Sequence, residues 1–519
     1  MNPHNSIRGH KVVRGIPAAK ALFVAGGAAA CAAVLAFATL PGATRGWAAV
    51  AGKARGADVQ SGQGTLSGFD ADFTSRTMRV DYFHSGTAIE EHISLSRVVA
   101  DGPWPGSRTR LVDDLNLGTY FFEVADVATN RVLYSRGFSS VFGEWVTIPE
   151  AKQVWRTFHE SLRFPWPKHP VQVRLKKRGA DGLFHEIWTT AIDPSSRFVI
   201  PADLAPQGHV WTLFENGAPS DKVDLLILGD GYTTAEMEKF HADVKHLAGA
   251  LFETEPFRSR KADFNVRAID LPSAESGVTR PLGGIYRRSP LSTHYSTFDS
   301  ERYVLTFDNW RVRDVASSAP YDFLVILINE RTYGGGGIFN DQTVVAAGNA
   351  FSEYLFVHEF GHNFAGLGDE YYTSDVAYET GNAEKPEPWE PNLTALHEPA
   401  TLKWKDLVGA GTPLPTPWNK EEFEKESRAV QDVRRKLRAS NAPEAEMEKL
   451  FEDERNAETK MLASSPYAGK IGAFEGAGYE AKGLYRPSTD CIMFARDNVG
   501  FCAVCRRAIE RIIDQYSRP

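Results

Sequence analysis

The chain is short of several things, and each shortage removes a class of protein. It has 4 cysteines in 519 residues, of which only Cys491, Cys502 and Cys505 lie beyond the first 51, so one disulfide at most is expected in the body of the protein. It has no basic excess: 58 Lys and Arg stand against 66 Asp and Glu, for a formal charge of -8. With a pI near 6.0, phosphate neutralisation is not available and no nucleic-acid partner is expected. The four glycines at 334–337 are not followed by Gly-Lys-Ser/Thr, which excludes a phosphate loop. Cys502-Ala-Val-Cys505 has no second C-x-x-C or H-x-x-H nearby to complete a zinc knuckle. What remains is an ordinary globular composition, 42% hydrophobic and 24% charged, with length for two to four domains at roughly 100–200 residues each.

One long apolar run occurs, and it is N-terminal. Arg8, Lys11, Arg14 and Lys20 precede an uncharged stretch over 21–40. Pro41-Gly42 breaks it, and Ala49-Val50-Ala51 offers a cleavage site. Residues 1–51 therefore read as a secretory signal peptide, with an uncleaved membrane anchor as the alternative. Either way the rest is exported, secreted or held at the cell envelope, with membrane attachment only through this segment. Cys31 is not preceded by Leu, which argues against a lipid anchor.

Residues 56–205 alternate with period two, as in Val171, Val173 and Leu175 against Gln172, Arg174 and Lys176, and a hairpin is expected around Thr129-Asn130-Arg131. The expectation is an all-β sandwich. Trp104, Trp145, Trp155 and Trp166 read as core and turn residues rather than a binding surface. A second domain is expected over 215–519. An apolar strand at 223–228 precedes a capping box, Thr233 to Glu236, and a helical apolar spacing through Phe240, Val244, Leu247 and Leu251. Further strands at 264–269 and 323–328 make an α/β layer. The strand at 343–347 offers its edge to an extended peptide. Residues 419–464 are highly charged and break at Asn441-Ala442-Pro443, which predicts a protruding, solvated hairpin of two helices.

The chemistry lies in His358-Glu359-Phe360-Gly361-His362. Side chains four apart on a helix share a face, so both histidines can bind one metal while Glu359 stands at the neighbouring edge as general base for a metal-activated water. Gly366 or Gly368 can end the helix in a left-handed conformation and return the chain toward the metal. Asp369 then supplies a third ligand, with Glu370 as its competitor. Two rivals are a zinc peptidase of another clan, with a distant ligand such as Glu379 or Glu384, and a non-catalytic extracellular binding protein whose metal helix is structural.

Residues 358–372 (HEFGHNFAGLGDEYY), 472–487 (GAFEGAGYEAKGLYRP), Cys491-Ile492-Met493 and Phe501 to Cys505 resemble the IgA peptidase family of secreted bacterial zinc metallopeptidases, which is similar to the metzincins. The resemblance implies an α+β multidomain chain, an N-terminal β-sandwich followed by a metzincin-like α/β zinc-peptidase domain with a helical-hairpin insertion. It implies one catalytic Zn2+ on His358, His362 and Asp369, Glu359 as base, Met493 as the methionine beneath the metal, and a protein or peptide substrate. The wider pattern has glycine where Ala365 stands, and Gly366 with Asp369 keeps the spacing one residue later. Ala495 replaces the tyrosine that metzincins often carry after the methionine, which leaves Tyr371, Tyr372, Tyr485 and Arg486 as candidate oxyanion stabilisers. A bridge from Cys491 to Cys502 or Cys505 is expected, with one free thiol.

Overall fold

The computed structural model describes residues 68–374, 385–496 and 499–517. The N-terminal segment 1–51, Glu379 and Glu384 lie outside these residues.

The chain is a mixed α+β protein. Its N-terminal part holds β1 (Phe73–Gly86), β2 (Glu91–Pro103), β3 (Tyr120–Asp126), β4 (Val132–Phe138), β5 (Arg156–Pro167), β6 (Val171–Arg178), β7 (Phe184–Ile192) and β8 (Val199–Ile200). They form two four-stranded sheets, ordered β5-β1-β2-β8 and β4-β3-β6-β7. The alternation expected along β6 is present: Val171, Val173 and Leu175 are buried while the residues between them are half-exposed. Asn130 turns the β3–β4 hairpin with φ 60°, and Asp126 accepts hydrogen bonds there from the backbone N–H and hydroxyl of Thr129 at 2.7 Å. Met78, Val80 and Tyr82 of one sheet belong to the same buried cluster as Phe122, Val124 and Val173 of the other. Trp104, Trp145 and Trp166 are buried, whereas Trp155 is exposed.

The central sheet contains β9 (His209–Phe214), β10 (Val223–Asp230), β11 (Phe264–Asp270), β12 (Phe323–Ile328), β13 (Gly335–Ile338) and β14 (Gln342–Ala346), in the order β13-β14-β12-β10-β11-β9. The four inner strands run parallel, and the two edges are antiparallel. β10 and β12 are buried at every position, as strands covered on both faces must be. One face carries α1 (Met237–Glu253), α3 (Ser352–Ala365) and α6 (Ala503–Ser517), whose apolar sides share one cluster with Leu225, Ile227, Val325 and Leu327. The other face buries Leu226, Leu324 and Ile326 against α2 (Asn309–Ala316) and against Phe142, Trp145 and Phe158 from the N-terminal part. Charges join the two parts as well. Fully buried Arg79 pairs with Asp81 at 2.9 Å and Asp101 at 2.6 Å, and also with Asp314 of α2.

The charged region forms α4 (Lys420–Ala439) and α5 (Glu444–Ala463), broken where the sequence predicts. It does not protrude as a solvated hairpin. Phe423, Met447, Phe451 and Leu462 sit in the core beneath the central sheet, and Glu454 pairs with Arg496 at 2.6 Å, both nearly buried. The sequence shows the narrow apolar stripe, Val430, Val433 and Leu437 on one helix and Met447, Leu450 and Phe451 on the other, but not that it packs on the core; burial of a few large side chains outweighs a solvated outer face. β15 (Phe474–Ala477) and β16 (Glu480–Arg486) complete the fold as a separate ribbon.

Candidate metal centre

α3 carries His358 and His362 one turn apart and ends at Gly366, whose φ of 61° is left-handed. A Cβ there would meet Trp389 at 2.7 Å, so glycine satisfies both the turn and the close approach. The reversal brings Asp369 back onto the histidines. Its Oδ1 lies 3.1 Å from His358 Nε2 and 3.2 Å from His362 Nε2, and the two Nε2 atoms are 3.2 Å apart. Ligands about 2.0–2.1 Å from a tetrahedral ion stand about 3.3 Å from one another, so this donor set fits zinc.

The other ring nitrogens are committed elsewhere. His358 Nδ1 donates to the Ile492 carbonyl at 2.9 Å, and His362 Nδ1 to the Leu367 carbonyl at 2.5 Å. These bonds place the lone pair on Nε2 in both rings and fix their orientation. Burial would raise the Asp369 carboxyl, but His362 and His358 outweigh it and hold it well below the usual carboxylate range. Burial likewise pulls His362 down, yet Asp369 and Glu359 lift it to about 9. Glu359 is half-buried in the cleft beside them. Burial pushes its carboxyl up, against the pull of the two histidines, which is the direction a general base at neutral pH needs.

Two neighbours hold this geometry from outside. Met493 is fully buried, with Sδ 3.2 Å from where a Cβ on Gly361 would stand, and its carbonyl accepts from the Glu370 N–H at 2.8 Å. On the other side β13 runs close to α3: a Cβ on Gly337 would come within 2.2 Å of the Glu359 carbonyl oxygen, and one on Gly335 within 3.0 Å of Glu359 Cγ. The glycine run thus lets the strand pass against the metal helix. A cleft of about 660 Å³ opens over Glu359, His362 and Asp369, walled in part by Glu144, Thr147 and Lys177 of the N-terminal part.

Residues 212–513 match the family model described as IgA Peptidase M64, and residues 68–189 match that of the Peptidase M64 N-terminus. The chain belongs to the IgA peptidase M64 family. No curated protein among those compared matches it. Membership makes it one of a peptidase family, acting on protein or peptide substrates.

In this M64 chain the remaining predicted residues fall into two places. Tyr371 lines the cleft and accepts a hydrogen bond from Arg302 Nη2 at 3.2 Å. Tyr372, Tyr485 and Arg486 do not line it: Tyr372 packs on Phe423, the Tyr485 backbone pairs with Thr394, and Arg486 is stacked between Trp418 and Phe494. Glu370 turns away from the histidines toward Asn392 and Cys505. The expected disulfide is absent. The three described cysteines are free, with Cys505 Sγ 3.8 Å from that of Cys491 and 3.6 Å from that of Cys502, against about 2.05 Å for a bond.

Sequence reasoning missed three groups at the M64 site. Tyr479 donates its hydroxyl proton to Asp369 Oδ2. Arg302 lines the cleft beside Tyr371, and the Tyr354 hydroxyl lies 3.3 Å from His358 Nδ1. Tyr354 could have been found, four residues before His358 on the same helix face. Tyr479 lies within the 472–487 motif, which marks the segment but not its partner, and Arg302 carries no local signal.

Proposed function

We propose that this M64 chain is an exported zinc-dependent endopeptidase, with a metzincin-like catalytic domain behind an N-terminal β-sandwich and Glu359 as its general base. The observation that carries this reading is the convergence of His358 Nε2, His362 Nε2 and Asp369 Oδ1 beside Glu359 at the floor of an open cleft. The nearness of Asp369 favours it over a distant glutamate as third ligand, and the open cleft favours catalysis over a purely structural metal. The sandwich reading rests on the buried cluster shared by the two N-terminal sheets.

His358, His362 and Asp369 would hold a zinc ion, which when bound would supply Lewis acidity toward water and a carbonyl oxygen. The protein's own groups do the rest. The Glu359 carboxylate accepts a proton from the attacking water as its oxygen bonds to the scissile carbonyl carbon. Glu359 then returns that proton to the amide nitrogen as the C–N bond breaks, leaving a carboxyl and an amine with no change of oxidation state. Tyr371, ordered by Arg302, stands beside the ligands where it can donate a hydrogen bond to the developing oxyanion. Replacing Glu359 by Gln is expected to leave metal stoichiometry unchanged and to cut peptide cleavage by about a hundred- to ten-thousand-fold. Cleavage by Glu359→Gln at the wild-type rate would end this assignment. Export is tested separately by N-terminal sequencing of the native protein: it is expected in the medium or envelope, starting beyond residue 51 if the leader is cleaved. Recovery only from the cytoplasm would refute it.

A further inference from the structure

One residue beyond Asp369, a second set of donors converges. Glu370, Cys491, Cys502 and Cys505 each offer a ligand atom, and these atoms all lie within 4.8 Å of one another. Glu370, Cys491 and Cys505 are fully buried. Cys505 Sγ is 3.8 Å from Cys491 Sγ, 3.6 Å from Cys502 Sγ and 3.3 Å from Glu370 Oε1. Around a tetrahedral ion with metal–sulfur bonds of about 2.3 Å, sulfur atoms stand about 3.8 Å apart and sulfur–oxygen edges are slightly shorter. The three separations from Cys505 match those edges, and the remaining pairs lie within 4.8 Å.

Independent features of the same site point the same way. Glu370 Oε2 is buried and has no hydrogen-bond partner among the described residues, while Oε1 is served by the neutral amide of Asn392 at 2.9 Å. A wholly buried carboxyl with one oxygen unpartnered must take up a proton or a cation, and the converging thiols provide for the cation. The Cys502 backbone N–H donates to Cys491 Sγ at 3.3 Å, a bond that favours the thiolate a metal requires.

We propose that Glu370, Cys491, Cys502 and Cys505 form a second metal site, structural rather than catalytic, for a thiophilic divalent cation that the ligand set identifies as zinc. Four protein ligands close the coordination sphere, and three of them are soft thiolates. The site ties three segments together: the turn carrying Asp369, the loop carrying Met493, and the start of α6. It therefore holds the peptidase ligands from behind without touching substrate. The proposal stands apart from the peptidase reading, since it requires no activity.

The test uses the full chain with the first site removed. The His358→Ala/His362→Ala protein, dialysed and measured by elemental analysis, is expected to retain one zinc per chain against two in the wild type. Cobalt loaded into that variant is expected to show sulfur-to-metal charge-transfer absorption. Adding Cys502→Ser and Cys505→Ser should abolish both signals. Alkylation mass spectrometry on the wild type provides a check that needs no variant: all three cysteines should be reduced, protected as isolated and reactive once metal is stripped. A disulfide among them, or a histidine variant that holds no zinc and gives no thiolate–cobalt band, would overturn the proposal.

Discussion

His358 and His362 were readable because the constraint joining them is local: four residues of helix place two side chains on one face whatever the surroundings. The glycine turn after them was readable for a related reason, its handedness and its place at Gly366, but it left Asp369 and Glu370 as competitors for the third position. Tyr479 was not, because 110 residues separate it from the Asp369 carboxylate it touches, and no periodicity spans that distance. On the proposed reading it would act on the metal through Asp369. Tyr479→Phe is accordingly expected to weaken zinc at the peptidase site by about 10- to 100-fold, read by competition with a chromophoric chelator. An affinity equal to wild type would show that Asp369 is held without it.

At the scale of elements, the hairpin of α4 and α5 shows where pattern reading fails. Its charged outer face is solvated as composition suggests, but its stripe is a working part of the core. Phe451 is fully buried and packs edge-on against Tyr333 at 4.9 Å and Phe351 at 5.8 Å. Tyr333 in turn lines the cleft. Phe451→Ala should therefore cost about 3–5 kcal/mol in chemical denaturation. A solvated insertion would lose no more than about 0.5 kcal/mol, and that result would restore the protruding hairpin. The strand–helix contact at Gly335 and Gly337 illustrates the converse. Four glycines in a row announce close backbone approach or mobility without saying which, and only the packed α3 shows that the approach is to Glu359.

Across the molecule, the N-terminal sheets and the central sheet are joined by shared apolar clusters and buried charge. At this joint His84 lies between Glu160 at 2.8 Å and Glu91 at 2.9 Å, stacked on Phe142. Burial alone would lower the His84 imidazole from 6.5, but the two carboxylates carry it upward. Its contribution to stability is thus complete below 6.5 and fades as pH rises through the raised folded value. Burial would raise Glu91, but His84 and Lys177 take it from 4.5 down to about 2, so its contribution is complete above 4.5 and fades as pH falls toward 2. The unfolding free-energy difference between wild type and His84→Gln should be greatest at about pH 5–6 and narrow toward both extremes. A gap constant from about pH 2.5 to 9 would show that these ion pairs do not govern the joint.

The sequence by itself determined the features that depend on near neighbours: the alternation of β6, the buried run of β10, the histidine pair, and the break between α4 and α5. It also held every residue of both donor clusters. Tertiary structure alone decided how those ligands divide. Two adjacent carboxylates, Asp369 and Glu370, leave the same turn in opposite allegiance, one toward the histidines and the other toward three thiols. Local pattern cannot separate them, because side-chain direction at a turn is set by what packs against it. Here that is the Met493 carbonyl taking the Glu370 N–H, and a C-terminal helix whose Cys505 lies 135 residues beyond Glu370.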